Sequence, residues 1–109
     1  MNCVFCKIAR GEIKAKVIFE NERAMAFYDI NPQAPVHVLI IPKRHYENLF
    51  EKIEREDAIA ILDSVKEVVR ALNVQHYRIV SNAGKGAGQE VFHLHLHLLA
   101  GRDFPAKTV

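Results

Sequence analysis

With 109 residues, half of them hydrophobic, the chain is read as one domain, residues 1–109, large enough to bury a core and small enough to gain from dimerisation. Fifteen Lys and Arg against thirteen Asp and Glu leave a net charge of only +2, which excludes the basic footprint of a nucleic-acid-binding protein and any like-charged tail. No apolar run reaches the roughly 18 residues of a membrane span, the N-terminus lacks an uninterrupted apolar stretch, and the two cysteines lie too close together to staple a fold, so a reduced, cytoplasmic protein is expected.

Val4, Phe5 and Ile8 fall at helical spacing before Gly11, which predicts a short N-terminal helix over residues 3–10. Lys16 to Glu20 and Ala24 to Tyr28 are strand-like, with Glu20-Asn21-Glu22-Arg23 as the hairpin turn. Asp29 to Pro35 holds two prolines and reads as a loop. His37 to Ile41 is a continuous apolar strand closed by Pro42, expected to be buried on both faces. Glu47 to Asn73 carries the main helix, with Ile59, Leu62, Val65, Val69 and Leu72 at three- and four-residue steps and Glu56 and Asp57 suiting its N-terminal dipole. Tyr77 to Asn82 is a further strand. Strands joined by short turns favour an α+β domain, an antiparallel sheet carrying one long helix, over a doubly wound sheet.

The chemistry concentrates near the C-terminus. From Val91 to Leu99, histidine alternates with leucine, a period-2 pattern that predicts a strand. Residues two apart on a strand share a face roughly 6.5–7 Å apart, so His93, His95 and His97 would present three imidazoles on one side. Gly84, Gly86 and Gly88 precede this segment, and glycine lets backbone N–H groups turn towards an anion. The loop is not a Walker loop, because no Gly-Lys-Ser/Thr opens a helix. Asn82 and Gln89 add side-chain amides as possible phosphate donors. Two reaction classes fit three strand histidines. One is a catalytic zinc site, which would want a carboxylate partner; the nearest, Glu90, would share the leucine face with Phe92. The other is attack of a neutral imidazole on phosphorus, with neighbours and loop holding the oxygens and an adjacent imidazolium protonating the leaving group. The glycine loop favours the second. Cys3 and Cys6 have metal-ligand or redox spacing, and no βαβ context supports a thioredoxin-like role.

The segment Gly88-Gln89-Glu90-Val91-Phe92-His93-Leu94-His95-Leu96-His97-Leu98-Leu99 resembles the signature of the histidine triad (HIT) family. Phe5-Cys6-Lys7-Ile8 with Gly11-Glu12-Ile13, the stretch Asp29 to His37, and Ile40 to His45 are similar to its nucleotide-binding Hint branch. The resemblance runs from Cys3 to Arg102. It implies a five-stranded antiparallel sheet with two helices, paired into a homodimer with a continuous sheet. It also implies hydrolysis of purine nucleoside phosphoramidates through a nucleotidyl-histidine intermediate on His95. His97 would contact phosphate and leaving group, with His93 and His37 orienting the nucleophile. Asn82, Gly88 and Gln89 would lie on the phosphate side, Asp29 at the ribose hydroxyls, and Phe5, Ile8, Phe27 and Leu39 around an adenine or guanine base. Many relatives carry Ser or Thr where this chain has Glu90, which is expected to point aside. Relatives acting as dinucleoside polyphosphate hydrolases or nucleotidyl transferases usually carry Gln at the position of His97, which places them second, beside a nucleotide-binding regulator with incidental catalysis. Catalysis would need no cofactor. Some members hold a structural zinc with a cysteine pair and two histidines, and the matching positions here are Cys3, Cys6, His45 and His93.

Overall fold

The computed structural model describes residues 2–106. The N-terminal helix α1 (Val4–Ala9) is capped by Cys3, whose Sγ accepts from the Cys6 N–H at 3.4 Å. β1 (Val17–Glu20) and β2 (Ala24–Tyr28) form a hairpin tightened by Asn21, whose Oδ1 accepts from the N–H groups of Arg23 and Ala24 at 2.9 and 2.8 Å. β3 (Val36–Pro42), the long helix α2 (Arg55–Ala71), β4 (Tyr77–Val80) and β5 (Leu96–Ala100) complete one antiparallel sheet in the order β1-β2-β3-β5-β4.

β3 is central and apolar because both its faces are covered. Val38 and Ile40 point to one face, where Ala26, Leu96, Leu98 and Ala100 pack with Ile61, Val65 and Val68 of α2. Leu39 and Ile41 point to the other, where they meet Met25, Phe27, Phe5 and both cysteines under α1. His37 and His97 share that second face by register, since Leu39 lies opposite His97 and His37 opposite Leu99.

Three sequence expectations need correcting. The long helix starts at Arg55 and not near Glu47, because Asn48 turns its Oδ1 onto the Phe50 N–H at 2.9 Å, closing a local turn that competes with helical backbone bonds. Its buried face runs through Ala60, Ile61, Ser64, Val65 and Val68, whereas Ile59 and Leu62 are exposed. The third correction concerns the histidines. β5 begins only at Leu96, and His93, Leu94, His95 and Leu96 are buried in succession instead of alternating. The Leu94 N–H is drawn to the Tyr46 carbonyl at 2.6 Å, and this contact turns the segment out of the strand. Glu90 and Phe92 are exposed and so do not share the buried side with Leu94, Leu96 and Leu98.

Candidate active site

His95, His37, His97 and His93 are each held in an identifiable tautomer, fixed directly or through one another by partners that can only donate or only accept. His95 places Nδ1 2.7 Å from the carbonyl of His93, so Nδ1 carries the proton and Nε2 keeps a bare lone pair. Ser81, a residue the sequence reading passed over, donates its hydroxyl to the His95 carbonyl at 3.0 Å. Its only signal is its place at the end of β4, just before Asn82. The Phe5 ring meets the His95 ring edge-on, with centroids 5.2 Å apart and planes at 86°.

A second chain of bonds runs beside it. The Gln33 N–H donates to His37 Nδ1 at 2.9 Å, so the His37 proton sits on Nε2 and is donated to His97 Nδ1, also at 2.9 Å. His97 is thereby left with its own proton on Nε2, and its ring lies 4.9 Å from that of His95. Asp29 Oδ2 stands 3.5 Å from His37 Nε2, while Oδ1 accepts from the Asn31 N–H at 2.7 Å. Burial, followed by the neighbouring His95 and His37, pushes the His97 pKa down to about 4. Burial also lowers His37, against the opposing pull of Asp29. Burial thus favours the neutral form of His97, in place of the imidazolium expected from the sequence beside His95. His97 is a neutral donor.

His93 belongs to another cluster. Its Nε2–H donates to the Pro42 carbonyl at 2.8 Å, which leaves Nδ1 bare and facing Cys3 Sγ at 3.4 Å, Cys6 Sγ at 3.5 Å and His45 Nδ1 at 3.2 Å. The four donor atoms lie within 4.8 Å of one another. Two thiols and two imidazoles on three segments, the start of α1, the stretch after β3 and the stretch before β5, match the closed donor set of a structural zinc and offer no open position for a substrate. Burial and the adjoining Cys3 push the Cys6 thiol up, and burial takes the His93 pKa down to about 4. His93 is therefore the hinge between the two clusters and not a third imidazole beside His95 and His97.

The loop of Gly84, Gly86 and Gly88 is closed on itself by backbone hydrogen bonds. Residues Lys85–Ala87 form a 3₁₀ turn, and the N–H groups of Ala87, Gly88 and Gln89 are turned back onto the carbonyls of Gly84 and Lys85. Gly88 adopts a φ of 89°, which explains glycine there. The Asn82 amide donates one proton to the Ala87 carbonyl at 2.8 Å. Both protons of the Gln89 amide go to the carbonyls of Glu47 and Val91, so Gln89 is not the free phosphate donor expected from the sequence. Phe5, Phe27 and Leu39 are buried and Ile8 partly so, together forming an apolar floor next to His37, His95 and His97.

The HIT domain family model matches residues 10–104. The chain belongs to the HIT family. A HIT family hydrolase from Clostridium thermocellum has the same fold, with a TM-score of 0.91 and 47% identity over 99% of this chain and 97% of that one. A HIT family hydrolase from Legionella pneumophila gives a TM-score of 0.89 at 47% identity, covering 97% and 98% of the two chains. A HIT-like protein of Azospirillum brasilense is 49% identical over 106 residues, 93% of this chain and 87% of that protein. The shared fold accounts for the five-stranded antiparallel sheet and its long helix. Among the described residues, no helix is long and apolar enough to cross a membrane.

Proposed function

We propose that this HIT protein is a purine nucleoside phosphoramidase of the Hint branch, with His95 as nucleophile. The observation that carries the reading is the His95 tautomer: Nδ1–H is tied to the His93 carbonyl, which leaves Nε2 as a neutral nucleophile. Nε2 attacks the phosphorus of a nucleoside 5'-phosphoramidate, the P–N bond breaks, and a nucleotidyl group remains on His95. His97 directs its Nε2–H at the departing side. His97 Nδ1 stays engaged by the His37 Nε2–H, so His97 keeps its single proton and holds the leaving amine by hydrogen bond, and the amine departs with a proton taken from solvent. Water then cleaves the P–Nε2 bond, giving up a proton to solvent and releasing the nucleoside monophosphate.

Around this chemistry, Asp29 would accept from the ribose hydroxyls, and Phe5, Ile8, Phe27 and Leu39 would floor the base. Stacking of this kind fits adenine or guanine. Asn82 retains an amide proton for the phosphoryl group, and Gly88 allows close approach. Cys3, Cys6, His45 and His93 would hold a zinc ion, which supplies a structural cross-link and no chemistry. The outer edge of β4, where Tyr77 and Ile79 are exposed, supports pairing with a second copy into a homodimer.

Mass spectrometry of protein quenched during turnover of adenosine 5'-phosphoramidate tests the reading. An added nucleotidyl mass on His95, absent from His95→Asn, is expected. In that variant hydrolysis falls by more than about 10³-fold while nucleotide binding persists. Hydrolysis without an adduct in either protein, or full turnover by the variant, would overturn it. Faster turnover of a dinucleoside polyphosphate than of the phosphoramidate would favour the second enzyme reading.

A further inference from the structure

We infer that Gln89 is a positioning residue, setting the phosphate-side loop against the nucleophile; the inference rests on the reaction proposed for His95. Gln89 is 3% exposed and lies between the glycine loop and the histidine segment. Its Oε1 accepts from the Gly84 N–H at 2.8 Å and from Asn48 Nδ2 at 3.1 Å. Its Nε2 donates to the Glu47 carbonyl at 2.6 Å and to the Val91 carbonyl at 3.0 Å. Two partners can only accept and the Gly84 amide can only donate, so the amide orientation is unambiguous. All of its hydrogen-bonding capacity is used.

These four bonds join three pieces of chain that no strand or helix connects. The Gly84 bond, with the Gln89 N–H returned to the Gly84 carbonyl at 3.2 Å, closes residues 84–89 into a ring that carries Gly88. The Val91 bond fixes the start of the segment that runs through His93 to His95. The bonds to Glu47 and Asn48 anchor both to the stretch after His45, which also receives Leu94 through the Tyr46 carbonyl. A neighbouring loop reaches the nucleophile independently, since Ser81 holds the His95 carbonyl and Asn82 holds the Ala87 carbonyl. Among the described residues, loss of the Gln89 amide would leave the ring hydrogen-bonded towards the nucleophile through Ser81 and Asn82 alone, besides the chain itself. A glutamine is needed because no other uncharged side chain of that reach offers two acceptor directions and two protons.

The test compares wild type, Gln89→Met and Gln89→Glu by single-turnover nucleotidylation of His95, AMP affinity, and hydrogen exchange at the Gly84 amide. Methionine keeps the length and loses every bond; glutamate keeps the two accepted bonds and loses the two donated ones. Nucleotidylation is expected to slow about 10²-fold in Gln89→Met and less in Gln89→Glu, with AMP affinity within about threefold of wild type. Gly84 exchange should rise by more than about tenfold in Gln89→Met and stay near wild type in Gln89→Glu. A rate in folded Gln89→Met within about twofold of wild type overturns the inference. So does an unchanged rate in Gln89→Glu if the methionine variant fails to fold. Absence of any adduct in wild type overturns the reaction itself and the positioning role with it, whereas accelerated Gly84 exchange would still report the clamp.

Discussion

The main-chain carbonyl of His93 accepts the Nδ1 proton of His95 at 2.7 Å while the His93 side chain faces Cys3, Cys6 and His45. One residue thereby connects the thiol cluster to His95: whatever holds the His93 ring also sets the carbonyl that selects the His95 tautomer. Pro42 fixes the other side of the ring, so His93 has little freedom once its Nδ1 is engaged.

A structural ion on the four donors should be measurable. Protein purified from zinc-containing medium is expected to carry equimolar zinc. Cys3→Ser with Cys6→Ser should lose it and melt lower by roughly 8–12 °C, for about 2 kcal/mol of lost stability. The loosened His93 should also broaden the His95 imidazole ¹⁵N resonances. Parent-like zinc content and melting temperature in the double variant would rule the structural ion out.

The pH dependence of stability follows from His97, which faces His37 and His95, with Asp29 beyond. Its pKa of about 4 lies below the ordinary 6.5, so between these values the unfolded chain binds the extra proton. Stability from this group is complete above pH 6.5 and declines as pH falls towards 4. In His97→Asn, where Oδ1 can still accept from His37 Nε2–H, that decline should be missing. The melting-temperature advantage of wild type over His97→Asn is expected to shrink steadily from pH 7 to pH 4.5. A difference independent of pH would show that His97 titrates normally.

The sheet was legible because its strands carry their signal locally: Ala24–Tyr28 is the predicted strand residue for residue, and His37 to Ile41 extends only by Val36 and Pro42. The identity of the chemical groups was legible too, since the histidine spacing and the cysteine pair are written in sequence. Their partition was not. Period 2 places His93, His95 and His97 together, but the Tyr46–Leu94 bond pulls the first residues off the strand, and that bond joins positions 48 residues apart. Gln89 was misread for the same reason: its partners Glu47 and Asn48 are distant in sequence, so nothing local shows its amide to be occupied. The helix face was legible in Val65, Val69 and Leu72, which pack on the core, but not in Ile59 and Leu62, which have the right spacing yet are exposed, while the helix buries Ser64, which bonds its own Ala60 carbonyl at 2.7 Å.

Tyr46 joins the long helix to the histidine segment, and its hydroxyl should contribute to stability. It donates to Asp57 Oδ2 at 2.6 Å and accepts from the Glu54 N–H at 3.2 Å; Arg23 reaches Asp57 Oδ1 at 3.1 Å. Burial pushes the Asp57 carboxyl up, but the Tyr46 hydroxyl and Arg23 outweigh it and hold the carboxyl below its usual 3.8. Tyr46→Phe should cost about 1–3 kcal/mol in denaturant unfolding at pH 7, because a buried carboxylate loses a donor. The lowered pKa means this contribution is complete above the unfolded carboxylate range and fades as pH falls below it. A loss under about 0.5 kcal/mol would show that Arg23 alone satisfies Asp57.

The last prediction concerns the sheet edge. Among the described residues β4 has only β5 beside it, and Tyr77 and Ile79, two apart on one face, are 45% and 37% exposed. An edge that presents apolar side chains and unpaired backbone groups invites a strand from a second copy, and antiparallel pairing of β4 with its equivalent would satisfy both. Light scattering is expected to give a mass of two chains for the wild type. Ile79→Lys places a charge in such an interface and should shift the mass towards a single chain, with the fold retained by circular dichroism. A wild type that stays a single chain at high micromolar concentration would dispose of the homodimer. A dimer untouched by Ile79→Lys would move the interface away from the β4 edge.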